Sequence, residues 1–244
     1  MTTEIEQVYR EKGDTWPKIL KYNYEKYGDT HRAMRHKHFG VWHPHTWKDY
    51  YLNVKHLALG LMALGFDAGD KVLIAGDNAP QWYYAELASQ ANHGVSVGLF
   101  SDLLPLEIKY IAKNSEAKFA IVEGQEQVDK FLQIKNELPL LKKVIYWSYK
   151  GLTQYDDDIL VGYRDALKLG ETCEAEHPGR FEQNVEAGQA DDVCAIIYTA
   201  GTTGAAPKGA VHTYGTMMTG AYYHLQLDPW IEKDNVVPYL PPVW

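Results

Sequence analysis

The chain is poor in the features that mark several common classes of protein. It has only two cysteines, Cys173 and Cys194, far apart and without metal-type spacing. A disulfide framework is therefore not expected, and a reducing compartment fits better. No apolar run reaches the length of a membrane span; the longest, at 56–66, is broken by Gly60 and Gly65. The first residues, Met1-Thr2-Thr3-Glu4-Ile5-Glu6, are polar and acidic, unlike a signal peptide. Cytoplasmic placement is the default expectation, and peripheral membrane contact stays open for a lipid substrate. Positive charge is also in deficit: 24 Lys and Arg against 32 Asp and Glu give a net charge of −8. Nucleic acid is not expected as a partner, because phosphate backbones require clustered cations. There is no G-x-G-x-x-G, no P-loop spacing, no internal repeat, and no arguable Ser-His-Asp or Cys-His nucleophile.

What the chain does have is alternation. Apolar strand-like segments at 71–76, 95–100, 118–123 and 143–147 are separated by helical patterns at 80–93, 106–114 and 125–137. Strands alternating with helices imply an α/β fold, with a mostly parallel sheet covered by helices on both faces. Upstream, Thr15 and Pro17 open a helix that ends near Gly28. Segments 33–38 and 41–46 read as a small β-hairpin around Phe39-Gly40, and Thr46 to Asp49 as a weak capping box for the next helix. The expected organisation is an N-terminal α/β subdomain over 1–150, with the hairpin near 33–46. An acidic polar connector with one short helix at 163–169 follows over 151–192, and a nucleotide-binding subdomain starts at 193 and is truncated at Trp244.

The densest chemical signal is residues 198–212, YTAGTTGAAPKGAVH, after the apolar run 193–197 and before a helical pattern at 212–227. Glycines let a backbone approach an anion, and successive N–H groups can turn toward it. Thr199, Thr202 and Thr203 add hydroxyl donors, and Lys208 adds a positive charge. A helix starting at His212 would aim its N-terminal donors at the same anion. The spacing is not that of a P-loop, because Lys208 precedes Gly209 and no hydroxyl follows. A Gly- and Thr-rich connection without any ligand is the competing reading.

Tyr198-Thr199-Ala200-Gly201-Thr202-Thr203-Gly204 with Pro207-Lys208-Gly209 resembles the phosphate-binding signature of the AMP-forming acyl-CoA synthetases, of the adenylate-forming superfamily. Tyr27-Gly28-Asp29, Thr46-Trp47, Gly69-Asp70-Lys71-Val72, Asp77-Asn78 and Pro80-Gln81-Trp82 are similar to that family's N-terminal region. Tyr239-Leu240-Pro241-Pro242-Val243-Trp244 is similar to a loop of bacterial long-chain fatty-acid CoA ligases. The resemblance implies the N-terminal portion of the adenylate-forming ligase fold. It also implies ATP, Mg²⁺ and CoA, with a carboxylic acid, leaning to a fatty acid, activated as acyl-AMP and passed to CoA. By this resemblance Thr199, Gly201, Thr202, Thr203, Gly204 and Lys208 hold the β- and γ-phosphates. Trp244 borders the acyl pocket. His212, which follows the loop, reads equally from its position as a neighbour of a phosphate or acyl group and as the start of the next helix. The remaining nucleotide motifs and the catalytic lysine are expected beyond Trp244, so the chain alone is expected to be inactive. Two departures stand out: Ala200 replaces the usual Ser, and Ala205-Ala206 put one extra residue before Pro207. They motivate an alternative, a non-catalytic remnant or binding module with an altered phosphate loop. A kinase-like NTPase is a third reading, disfavoured by the loop spacing. The acid and the oligomeric state are not readable from the sequence.

Side signals carry blander readings. His36, His38, His43 and His45 would share a hairpin face if His38 pairs with His43, but no carboxylate or Cys completes a metal shell, so no metal site is assigned. Asp156-Asp157-Asp158 reads as a solvated turn. Trp82, Tyr83 and Tyr84 read as core aromatics beside Asp77-Asn78, and Met217 and Met218 as core.

Overall fold

The computed structural model describes residues 7, 9, 11–199, 206–231 and 234–243. A seven-stranded sheet, β3 Lys71–Ala75, β4 Val95–Leu99, β5 Phe119–Val122, β6 Lys143–Tyr146, β7 Leu160–Gly162, β8 Val193–Thr199 and β9 Lys208–Thr213, runs in the order β7-β6-β5-β3-β4-β8-β9. All pairings are parallel except that of β8 with β9. A separate antiparallel hairpin joins β1 Arg32–His38 to β2 Val41–Thr46. The helices are α1 Trp16–Tyr27, α2 Trp47–Ala63, α3 Pro80–Ala91, α4 Pro105–Ser115, α5 Gln125–Ile134, α6 Tyr163–Glu176, α7 Arg180–Ala187 and α8 Tyr214–Leu227.

The central strands are apolar without alternation because both sheet faces are covered. Val72, Leu73, Ile74 and Ala75 of β3 have no exposed surface. Val72 and Ile74 join Phe119, Ile121 and the residues of α1, α2, α3, α6 and α7 in one core, whereas Leu73 and Ala75 join Val97, Leu99 and the apolar faces of α4 and α5 in a second. The helix starts follow local chemistry. Thr46 and Asp49 form the capping box, with the Asp49 amide donating to Thr46 Oγ1 at 3.1 Å and the Thr46 amide to Asp49 Oδ2 at 2.8 Å. Proline stands at the start of α3 and α4, where its missing N–H costs nothing.

Three expectations are corrected. The acidic stretch 151–192 is not mainly a connector: it supplies β7, α6 and α7, and buries Tyr163, Ala166, Phe181 and Val185. Its polar residues lie on the outer faces of amphipathic helices, which composition alone conceals. The hairpin register pairs His36 with His43 and His38 with Val41, two residues from the pairing expected. The segment 236–240, whose apolar residues read as a strand, forms none among the described residues. Asp157, in the acidic turn, pairs with Lys135, whose ammonium holds the carboxyl below its usual range.

Helices α2 and α6 approach each other at backbone contact distance. A Cβ on Gly60 would lie 2.1 Å from the Ala166 carbonyl oxygen, and one on Gly170 would lie 1.8 Å from that of His56. At the rim, Lys55 bridges Glu174 at 2.5 Å and Glu182 at 2.8 Å. Gly170→Ala should force the helices apart and destabilise the chain by about 2 kcal/mol or more. Urea denaturation of the variant against the parent measures this.

Candidate functional site

In open parallel sheets, ligands bind outside the carboxyl ends of the strands, where neighbouring connections leave on opposite faces. Here β3 leads to α3 on one face, while its neighbours β4 and β5 lead to α4 and α5 on the other. Residues 76–78, 100–101 and 123 follow the carboxyl ends of β3, β4 and β5 at this point. The Asp77 amide donates to Glu123 Oε2 at 2.8 Å, and the Ser101 hydroxyl reaches Asp77 Oδ1 at 3.5 Å. Asn78 Nδ2 donates to the carbonyls of Pro238 at 2.9 Å and Leu240 at 2.8 Å, and Tyr83 donates to Asn78 Oδ1 at 3.2 Å. Val243 is buried against Gly98 of β4, where a Cβ would meet its Cγ1 at 2.9 Å. The segment 238–243 thus folds back over the carboxyl ends of β3 and β4. Trp82 and Tyr84 are buried core residues, as their spacing implied.

The Gly/Thr-rich loop leaves the next strand along. Strand β8 pairs parallel with β4 through Ser96 with Ala195 and Val97 with Ile196. It pairs antiparallel with β9, ending with Tyr198 opposite Gly209 and Thr199 opposite Lys208. Thr199 and Lys208 are therefore exposed cross-strand partners at the carboxyl edge of the sheet. Gly201, Thr202, Thr203 and Gly204, between them, and Trp244 lie outside the described residues, as does Ala200.

This arrangement departs from the expected strand, loop and helix. A strand intervenes, and α8 starts at Tyr214, capped by Thr213, whose side chain accepts from the Thr216 amide at 3.3 Å. The α8 start lies beside the beginning of β8: the Tyr214 amide donates to the Asp192 carbonyl at 3.2 Å. Its N-terminal donors are at the wrong end of the hairpin to meet the loop. His212 pairs with Ala195. Four residues along β9 from Lys208, it sits about 13 Å from the loop end at about 3.3 Å per residue. Residues 208–213 carry little strand signal of their own: Gly209 interrupts a short segment whose exposure does not alternate.

Two residues of α4 were not anticipated. The Tyr110 hydroxyl donates to the Pro207 carbonyl at 3.0 Å, and the Tyr198 hydroxyl donates to Asn114 Oδ1 at 2.6 Å. Tyr110 and Asn114 are four apart and share one helix face. Gly209 makes the second contact available: a Cβ there would stand 3.0 Å from the Tyr198 ring and 2.7 Å from Ile196 Cγ2. The glycine of Pro207-Lys208-Gly209 is thus a space requirement for the tyrosine that anchors β8.

Beneath the loop, β8 is held by a polar junction. Ser96 Oγ donates to the Cys194 carbonyl at 3.1 Å, and Gln90 Nε2 donates to it at 3.3 Å. The Tyr214 hydroxyl donates to the Gln90 carbonyl at 3.3 Å. Burial pushes the Cys194 thiol up to about 12, which makes it a packing group rather than a nucleophile. Burial also pushes the neighbouring Glu86 carboxyl up to about 7, against hydrogen bonds from Ser96 and Gln90 that favour its charge. Among the described residues, no group of three or more His, Cys, Asp and Glu converges as a metal site. His45 is instead hydrogen-bonded to the Tyr84 hydroxyl at 3.0 Å, and burial lowers its imidazole.

Comparison with known proteins bears on the family and the fold. A sequence model of the family described as AMP-binding enzyme matches residues 21–244. A long-chain-fatty-acid–CoA ligase, ACSBG2 of Xenopus laevis, is 31% identical over 76% of this chain and 24% of its own length. ACSBG1 of Bos taurus is 29% identical over 89% of this chain and 30% of its own length. The chain therefore spans roughly a quarter to a third of these curated relatives. Acetoacetyl-CoA synthetase from Streptomyces lividans superposes with a TM-score of 0.71 at 20% identity, covering 94% of this chain and 35% of that one. An anthranilate CoA ligase solved with anthranoyl-AMP superposes with a TM-score of 0.63 at 19% identity, covering 82% and 35%.

Two outcomes are expected. Because Glu86 holds its proton in the folded state above the pH at which an unfolded carboxyl releases it, its contribution is complete in the acid range and is lost as pH rises through about 7. Partial solvent contact of the residue softens the loss. Glu86→Gln should flatten the decline in melting temperature between acid and pH 8. Asn78→Ala should release the segment 238–243, read as faster amide exchange there with little change in β3.

Proposed function

Because the chain belongs to the AMP-binding enzyme family, we propose that it is the N-terminal part of an ATP-dependent acyl-CoA synthetase. The carrying observation is the β8–β9 hairpin, which sets Thr199 opposite Lys208 at the carboxyl edge of the sheet, both exposed. A hydroxyl donor and a fixed cation on one exposed edge suit two adjacent phosphate groups. In this proposal Gly201, Thr202, Thr203 and Gly204 complete the cradle for the β- and γ-phosphates. The substrate carboxylate attacks the α-phosphate of ATP and expels pyrophosphate. The thiol of CoA then displaces AMP to give the thioester. The chain's part in the first step is to position the triphosphate and neutralise charge that develops on the leaving group.

The acid is proposed to be a long-chain fatty acid. The named activity of the ACSBG relatives supports this. So does the position of the apolar segment ending in Val243, folded over β4 one strand from the phosphate hairpin. Trp244 would continue that segment toward the acyl group. His212, at the far end of β9, is given no part in holding the triphosphate. Mg²⁺ would arrive with the nucleotide, and no residue of this chain is assigned to it. Cytoplasmic placement belongs to the same proposal; among the described residues no helix is long and apolar enough to cross a membrane. The chain by itself is proposed to bind nucleotide weakly and not to turn over.

The rival reading, a remnant with an altered loop, draws on Ala200 and Ala205-Ala206. ATP–pyrophosphate exchange, run with a panel of carboxylic acids on this chain and on the product of the whole reading frame that encodes it, separates the two. Exchange dependent on long-chain acids is expected from the latter alone. Lys208→Ala should lower it about 100-fold. No exchange from either protein, with activity recovered by Ala200→Ser and deletion of Ala205, would establish the remnant.

A further inference from the structure

The β1–β2 hairpin carries a group of features that the phosphate site does not use. The first is backbone strain at an aromatic residue. Phe39 has φ 47° and Gly40 has φ 80°, so both central turn residues are left-handed. Hairpins with that turn favour Asn, Asp or Gly at the first position, and a bulky residue there is a steric outlier. Packing does not repay it: Phe39 is 92% exposed, and among the described residues its ring meets only that of His38, at a centroid distance of 4.3 Å. Val41 and Trp42 follow, 59% and 56% exposed. Strain that displays an apolar side chain to solvent points to a role outside the fold.

The second feature is charge. Residues 30–48 contain Arg32, Arg35, Lys37 and Lys48 and no Asp or Glu, in a chain of net charge −8. Lys48 lies 4.0 Å from Asp29, whereas Arg35 and Lys37 form no ion pair among the described residues. The third is placement. Lys37 is the cross-strand partner of Trp42, with its ammonium 5.7 Å from the indole centroid, and the Arg35 guanidinium is 5.4 Å from it. Two cations therefore flank a partly exposed indole just behind a protruding phenyl ring; Arg35 and Trp42 also border a cavity shared with residues 234–238, whereas Lys37 and Phe39 stand outside it.

We propose that this tip is a peripheral docking surface for an anionic lipid membrane. Phe39 and Trp42 enter the boundary between headgroups and acyl chains, and Arg35 and Lys37 take the lipid phosphates. An apolar wedge backed by cations with long aliphatic stems is the arrangement such a boundary selects. The paired cations and the absence of Asp and Glu over residues 30–48 match the charge of an anionic lipid surface. The inference does not depend on the ligase reading, since it uses none of the phosphate-site residues.

Flotation of the full chain with vesicles tests it. The chain should float with phosphatidylcholine vesicles carrying about 30% phosphatidylglycerol, and should stay behind with pure phosphatidylcholine or in about 0.5 M salt. Phe39→Asn suits the left-handed turn, so it should melt no lower than the parent yet partition about tenfold less. The double variant Arg35→Gln, Lys37→Gln should also lose about tenfold or more. Failure of the parent to float with anionic vesicles would overturn the proposal. So would equal flotation on neutral lipid, or parent-like flotation by Phe39→Asn. Charge dependence without Phe39 dependence would leave an acidic protein surface as the partner instead.

Discussion

Two short parallel pairings, Ser96 with Ala195 and Val97 with Ile196, couple the hairpin that carries the Gly/Thr-rich loop to the rest of the molecule. Everything proposed for Thr199 and Lys208 depends on that seam. Two residue pairs are a thin ladder, and the protein reinforces it from below with side chains that bond to one carbonyl. Gln90 of α3 and Ser96 of β4 both donate to Cys194 of β8. A buried polar junction of this kind has value through geometry, because its donors accept only one register. Slippage by one residue would turn Thr199 and Lys208 to the other sheet face.

From above, α4 completes the positioning. Tyr110 holds Pro207, and Asn114 holds Tyr198, so each side of the hairpin is tied near the loop. These contacts explain why the loop is followed by Pro-Lys-Gly in structural terms. Proline presents a carbonyl at a fixed backbone angle, lysine faces outward beside Thr199, and glycine clears space for the tyrosine ring. The loop is thus set between two rigid supports, which is what a cradle that must hold an extended anion requires.

Local physics made much of this legible in advance. The helix starts at Thr15 and Thr46, the strands through 71–75 and 119–122, and the Phe39-Gly40 turn follow from caps, apolar runs and turn chemistry acting over a few residues. By contrast, α6 and α7 were hidden in an acidic stretch. Their apolar residues are sparse, and their stability comes from the close approach of Gly170 to α2 and from Phe181 under Tyr51. Helix propensity does not reveal a partner that lies a hundred residues away.

By itself the sequence determined the alternation of strands and helices, the positions of the turns, and the residue types available to a phosphate. Tertiary structure alone decided that β9 follows the loop, that the α8 start and His212 lie at the far end of that strand, and that α4 supplies the anchors. The physical reason is that a β-ladder is a pairing between distant or opposed backbones. Residues 208–213 become a strand because β8 offers them unpaired hydrogen-bonding groups, and no short-range preference of their own encodes that offer.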